Sequence, residues 1–233
     1  MNNIVIYTAI SGNYDQLREP EFIPEGCDFV CFTDGRYNSK TWKIVNVEMS
    51  DRDPCRGAKI YKVLPHKFLP EYEYSIWIDG NIVLKGDAPS LIRKYLKKAC
   101  IAFYGHHRRD CIFEEAEVCI EENKDDPDMI TKQMDFYRKE GYPENNGLVT
   151  CSVILRRNSP EVNKNDEDWW EQIGKYSRRD QLSFNYVAYQ NRFPYSIIKG
   201  HVYKNPYFKR VPHLNEPRKI KSKSFLTTLF SWR

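Results

Sequence analysis

Ser75-Ile76-Trp77-Ile78-Asp79-Gly80-Asn81-Ile82-Val83-Leu84 is the stretch whose reading decides the fold. Four strand-forming residues deliver an acid, a glycine and an amide, and then the chain turns apolar again. Side chains alternate along an extended segment, so Asp79 and Asn81 can share a face while Gly80 leaves backbone room for a ligand. A carboxylate beside a second oxygen ligand suits a hard cation such as Mg²⁺ or Mn²⁺ bridging a diphosphate. Asp-Gly and Gly-Asn are also common turn dipeptides, so the sextet Trp77–Ile82 alone admits a plain turn equally well.

Outward from this stretch, strand-like and helix-like runs alternate. Asn3–Ile10, Asp28–Thr33 and Trp42–Val47 read as strands before it, and Arg56–Leu69 as a helix. After it come a helix at Ser90–Lys98, a strand at Cys100–Tyr104, and helices at Ile112–Asn123 and Met129–Glu140. A strand at Leu148–Arg156, helices at Glu167–Tyr176 and Asp180–Gln190, and a strand at Phe193–Ile198 complete the series. Such alternation predicts an α/β domain with a largely parallel central sheet flanked by helices. No internal repeat or linker interrupts it, so one domain over 1–216 is expected, followed by a tail over 217–233. Ligands of open α/β sheets bind beyond the carboxyl ends of the strands, which directs attention to the polar residues closing them.

Three such groups could carry chemistry. Arg56, Lys59 and Lys62 recur every third residue and would lie roughly along one side of a helix, either as a solvated basic face or as cations for a diphosphate. Ser177-Arg178-Arg179-Asp180-Gln181 resembles a capping box with Asp180 structural, and it could also present Asp180 and Gln181 to a sugar, since different faces of one helical turn are involved. His106 and His107 follow a strand, where either could contact an acceptor or act as a base near neutral pH. His201 and His213 occur in a Tyr- and Pro-rich stretch, from which either could supply a further metal ligand.

Composition narrows the class. The chain has 233 residues, 41% hydrophobic and 29% charged, enough for one substantial core. A net charge of +4 from 36 basic and 32 acidic residues is too mild to argue for nucleic acid. The 14% aromatic content suits sugar faces as well as cores. Seven scattered cysteines without a C-x-x-C pair, and an opening MNNIVIYTAI without a charged region before a long apolar one, lead to the expectation of a reduced, cytoplasmic protein. Arg218–Arg233 holds five basic residues and no acid, interleaved with Phe225, Leu226, Leu229, Phe230 and Trp232. It is either a frayed terminus or a peripheral contact with an anionic membrane surface.

Taken together, Tyr7-Thr8-Ala9-Ile10, Gly12-Asn13-Tyr14-Asp15, Phe32-Thr33-Asp34, Trp77-Ile78-Asp79-Gly80-Asn81, His106-His107-Arg108-Arg109 and Ser177-Arg178-Arg179-Asp180-Gln181-Leu182-Ser183-Phe184 follow one another in an order that resembles a known family. It is the glycosyltransferase-like domain of bacterial polysaccharide loci and plant mucilage-related proteins. The resemblance covers roughly residues 3 to 215 and implies a GT-A fold similar to the retaining transferases of the glycogenin-like group. It implies that Asp79 is the first acid of an Asp-x-Asp motif binding Mn²⁺ or Mg²⁺ and a donor diphosphate, with the neutral Asn81 in the third position. His213 would be the C-terminal metal ligand, with His201 the competitor. Asp180 and Gln181 would sit under the donor sugar, and Thr8, Tyr14, Thr33 and Asp34 would line the nucleoside pocket. The activity so implied is hexose transfer from a nucleotide diphosphate sugar, with uridine the expected base, to a glycan or lipid-linked acceptor in surface polysaccharide synthesis. Arg56, Lys59 and Lys62 would stabilise the departing diphosphate. Two other classes stay open: an amide hydrolase using Asp79, His106 and His107 around a metal-bound water, since one plant relative of the domain is described as a ceramidase, and a non-catalytic nucleotide- or glycan-binding module.

Overall fold

The computed structural model describes residues 2–49 and 53–214. The tail from Pro217, and with it the expected membrane contact, lies outside the described residues. The elements are β1 (Ile4–Ile10), β2 (Cys27–Thr33), β3 (Lys43–Asn46), α1 (Pro54–Val63), α2 (Pro65–Phe68), β4 (Tyr74–Ile78), β5 (Ile82–Leu84), α3 (Pro89–Tyr95), β6 (Ile101–Gly105), α4 (Ile112–Glu121), α5 (Pro127–Lys139), β7 (Val149–Arg157), α6 (Pro160–Lys175), a 3-10 turn (Asp180–Leu182), α7 (Phe184–Gln190), β8 (Ser196–Ile198) and β9 (Phe208–Arg210).

Seven strands form the central sheet in the order β3-β2-β1-β4-β7-β6-β8. All neighbours are parallel except β7, which runs antiparallel to both β4 and β6. The α/β class and the largely parallel sheet are thus as the alternation predicts. Alternate residues serve opposite faces: Tyr7, Trp77, Phe103 and Ile154 pack into one core, Ile6, Ile76, Ala102 and Leu155 into the other. Both faces are covered, which is why these strands read as unbroken apolar runs rather than alternating ones.

Several elements depart from the sequence expectation. The helix expected over Arg56–Leu69 starts at Pro54, where Asp53 accepts the Arg56 N–H at 3.0 Å, and it breaks before Pro65. Proline there has no N–H to continue the ladder, and a separate short α2 follows. Helix α6 begins at Pro160, capped by Ser159, well before the expected Glu167. Its first turns bury Asn165 and Asp166 after Val162, so the apolar helical stripe is interrupted in the sequence. Asp166 accepts the Arg156 Nε–H at 2.8 Å beneath the sheet, which makes a polar pair part of the core.

One small feature sets up the functional end. β5 leaves the sheet directly after Asn81 and pairs antiparallel with β9, Leu84 opposite Phe208 and Ile82 opposite Arg210. The N–H of Val211 then donates to the Asn81 carbonyl at 2.8 Å. The distant C-terminal segment is thereby led past the turn that follows β4.

Candidate functional site

The site starts at the carboxyl end of β4. The Asp79 N–H donates to Ser152 O at 2.9 Å, and its carbonyl accepts the Ile82 N–H at 2.8 Å, closing a tight turn. A side chain on Gly80 would come within 3.1 Å of the Asp15 carboxylate and 3.2 Å of Ile10, so the turn packs closely on β1 and the loop after it. Asp79 Oδ1 accepts from Trp77 Nε1 at 2.8 Å and from Lys62 Nζ at 3.0 Å. Asn81 is buried, with Nδ2 at 3.1 Å from His213 Nε2. His213 Nδ1 lies 2.8 and 3.0 Å from the two oxygens of Asp15. A proton on Nδ1 serves that carboxylate and leaves Nε2 as the lone-pair nitrogen, turned toward Asn81. Tyr14 packs over the same imidazole, ring centres 4.9 Å apart.

A second acid forms the floor. Asp180 opens the 3-10 turn, its carbonyl fixed by Trp169 Nε1 at 3.0 Å. Its carboxylate pairs with Lys59 at 3.0 Å and Lys62 at 2.6 Å. Burial alone would raise the Asp180 carboxyl, but Lys59, Lys62 and Arg179 outweigh it and hold the group far below the usual carboxylate range. Burial would likewise strip the proton from Lys62, yet Asp180 and Asp79 keep its pKa raised, so the ammonium bridges the two acids as a permanent charge.

Asp79, Asn81, His213, Asp180 and the lysines beside them line a cavity of about 440 Å³. An adjoining hollow of about 530 Å³ shares Tyr14, Lys59, Lys62, Asp79, Arg179 and His213, and extends along Gly12, Pro54 and Cys55. Four polar atoms in the main cavity lining are buried with no hydrogen-bond partner among the described residues: Thr150 Oγ1, Arg179 Nε, Gln181 Nε2 and Asp180 Oδ2, the last ion-paired with Lys62. Buried polar atoms are ordinarily paired, so the first three mark where ligand atoms belong. For a cation, the Asp79 carboxylate, the Asn81 amide and a His213 imidazole oriented from behind by Asp15 form a mixed O/N donor set. It fits Mn²⁺ or Mg²⁺ bound jointly with a ligand's own oxygens. Among the described residues no group of three or more His, Cys, Asp or Glu side chains is placed to hold a metal ion; Asn81 supplies an amide where a second acid would have completed one.

Residues 32–214 match the model of the TOD1/MUCI70, glycosyltransferase-like domain. The chain belongs to this family. The probable hexosyltransferase MUCI70 of Arabidopsis thaliana is 29% identical over 213 residues, 79% of this chain and 37% of that protein. The alkaline ceramidase TOD1 of the same plant is 24% identical over 220 residues, 79% of this chain and 48% of that protein. The chain thus spans less than half the length of either relative. Among solved structures, the apo form of mouse xyloside xylosyltransferase 1 is similar at a TM-score of 0.49 and 11% identity, covering 84% of both chains. The apo WbbM bifunctional glycosyltransferase is similar at 0.48 and 9%, covering 84% of this chain and 38% of its own.

In this TOD1/MUCI70 domain, Tyr14, Lys59, Lys62, Asp79, Asn81, Asp180, Gln181 and His213 all meet in the main cavity. His213 rather than His201 stands beside Asn81; the His201 Nδ1 accepts from Tyr203 N instead. Other expected site residues fall elsewhere. Arg56 turns away and donates to the carbonyls of Ile173, Gly174 and Tyr176 at the end of α6. Six residues carry it about 120° round the helix from Lys62, too far to share a face. Thr8 is buried within β1, Thr33 Oγ1 accepts the Gly35 N–H, and Asp34 accepts the Gly12 N–H at 3.0 Å. Thr33 and Asp34 hold turns at the edge of the hollow, and none of the three is in its lining. His106 and His107 also lie outside the cavity lining; His106 Nδ1 accepts from Arg109 N. The expected capping box does not form, because Ser177 Oγ donates to Asp125 and the Asp180 carboxylate goes to the lysines. Asp15, Lys124 and Arg179 were assigned no role from sequence, since only the fold brings their loops to the end of β4.

Proposed function

We propose that this domain transfers a hexose from a nucleotide diphosphate sugar, with uridine the favoured base, to a glycan or lipid-linked acceptor, with retention and with metal assistance. The observation that carries the reading is the meeting of Asp79, Asn81, His213 and the ion-paired Asp180 in one cation-rich cavity of a glycosyltransferase-like domain. Mn²⁺ or Mg²⁺ held by Asp79, Asn81 and His213 would supply positive charge to the donor diphosphate. Lys59, Lys62, Lys124 and Arg179 line the same space and add fixed cations for the negative charge that grows on the leaving group. Asp180 stays ionised throughout, so its work is electrostatic: it faces positive charge developing at the anomeric carbon and accepts from sugar hydroxyls. Gln181 offers its unpaired amide N–H to the same sugar.

Retention is favoured because the carboxylates of the main cavity, Asp79 and Asp180, are both tied to Lys62, which leaves neither poised to take a proton from an acceptor. The hydrolase reading needed Asp79, His106 and His107 around one water, and the two histidines lie outside the cavity that holds Asp79. The test is turnover of a panel of UDP-hexoses by the wild type and Asp79→Ala. Release of UDP that depends on Asp79 is expected. UDP binding without turnover would indicate a binding module, and fatty-acid release from ceramide without any nucleotide would indicate the hydrolase.

A further inference from the structure

A line of rings begins at Tyr203 in the lining of the main cavity, a residue that the hollow along Gly12 does not share. Tyr203 lines the cavity, with its hydroxyl 3.5 Å from Ser152 Oγ, on the residue whose carbonyl anchors Asp79. From Tyr203 the line passes to His201 at 5.7 Å between ring centres, then to His107 at 4.3 Å and His106 at 5.2 Å. His107 is exposed, while His201 and Tyr203 are half-buried. The donor site as described uses none of the three histidines. We propose that the Tyr203–His201–His107 row is the acceptor platform, on which successive pyranose rings of a glycan chain lie; the inference rests on the transferase reading and commits its acceptor to a carbohydrate.

Three features support this occupant. The first is continuity: the row begins at the lining of the reacting cavity and runs outward in steps comparable to the length of one pyranose unit, as a chain extending from a reacting terminal sugar requires. The second is rigidity. Asn205 ties the loop that carries His201 and Tyr203, donating from Nδ2 to the carbonyls of His201 and Val202 and accepting at Oδ1 from Tyr207 N and Phe208 N. Lys204 N also donates to His201 O at 3.0 Å. A platform fixed before binding costs little ordering entropy. The third is ring chemistry. His201 Nδ1 accepts from Tyr203 N, which puts the ring proton of a neutral imidazole on Nε2. Burial, then His201 and the neighbouring arginines, lower the His107 pKa, so at neutral pH it presents an uncharged face together with an N–H donor. Flat apolar faces edged by donors match the CH face and equatorial hydroxyls of a pyranose.

The test uses the full chain on an array of immobilised oligosaccharides of one to six sugars from bacterial and plant polysaccharides, with UDP-induced thermal stabilisation measured alongside. The wild type is expected to hold one class of oligosaccharide and to favour chains over the single sugar. His107→Ala and His201→Ala should each weaken that binding about tenfold. His107→Phe, which keeps a ring and removes the imidazole nitrogens, should restore most of it. Unchanged binding in both alanine variants would overturn the platform. So would a wild type that is stabilised by UDP yet holds no glycan, a result that leaves the transferase reading standing. Glycan binding with no response to UDP or any other nucleoside diphosphate would support the platform and count against the donor site instead.

Discussion

Asp15 and His213 stand 198 residues apart in the chain, and the carboxylate of the first lies 2.8 and 3.0 Å from Nδ1 of the second. This contact decides which imidazole nitrogen faces Asn81, and so whether His213 can serve as a ligand. Replacing Asp15 by Asn keeps the shape and removes the charge that fixes the tautomer. Asp15→Asn should weaken Mn²⁺ affinity by about 10–100-fold, read from the free-Mn²⁺ EPR signal in a titration with UDP present. An affinity equal to wild type would show that His213 needs no orienting partner.

Asp180 links stability and chemistry. Its folded pKa is depressed by its cations, so the ion-pair contribution is fully present above the unfolded carboxylate pKa of about 3.9 and is lost as pH falls toward the folded value. The unfolding free-energy difference between wild type and Asp180→Asn should be flat from about pH 8 to about pH 5 and narrow below about pH 4. Urea titrations across that range check it. The same variant should lose about 10²–10³-fold in transfer rate.

Arg56 makes the opposite kind of prediction. Its guanidinium caps the carbonyl end of α6 and does not reach the cavity. Arg56→Met should cost about 1.5–3 kcal/mol in urea unfolding and leave the donor KM unchanged. A large rise in KM without loss of stability would return Arg56 to the diphosphate.

The cysteines offer a footprint. Cys55 is exposed and borders the hollow beside Gly12 and Pro54, whereas Cys151 is buried at the cavity wall, where burial pushes its thiol up. Iodoacetamide at neutral pH should modify Cys55 well before Cys151, and saturating UDP should slow the Cys55 reaction. Peptide mass spectrometry reads both. A Cys55 rate indifferent to UDP would place the nucleoside elsewhere.

Much of this was legible in the sequence because it is local. The β4 strand ending in Asp79-Gly80-Asn81, and the Asp180-Gln181 pair, are short segments whose polar residues interrupt apolar runs. The donor set required the His213 segment as well; the sequence left His201 and His213 open and only the family resemblance favoured His213, for which pairing of β5 with β9 supplies the physical reason. The orienting role of Asp15, and the stacking of His107 on His201, left no sequence signal, because contacts between distant parts of the chain have no periodicity. Arg56 was misplaced for a geometric reason, the drift of every-third-residue spacing round a helix. The α6 boundary was missed because Asp166 is buried against Arg156, so a charged residue stands where the helical pattern would show an apolar one.

The central claim is that Asp79, Asn81 and His213 form a metal-assisted site for a nucleoside diphosphate. The most direct measurement is thermal unfolding of wild type and Asp79→Ala with UDP, with and without Mn²⁺. UDP at about 100 times its dissociation constant should add about 2.7 kcal/mol to the wild type when Mn²⁺ is present, and far less without it or in Asp79→Ala. Equal stabilisation of wild type and Asp79→Ala, or stabilisation by UDP that ignores Mn²⁺, would contradict the account.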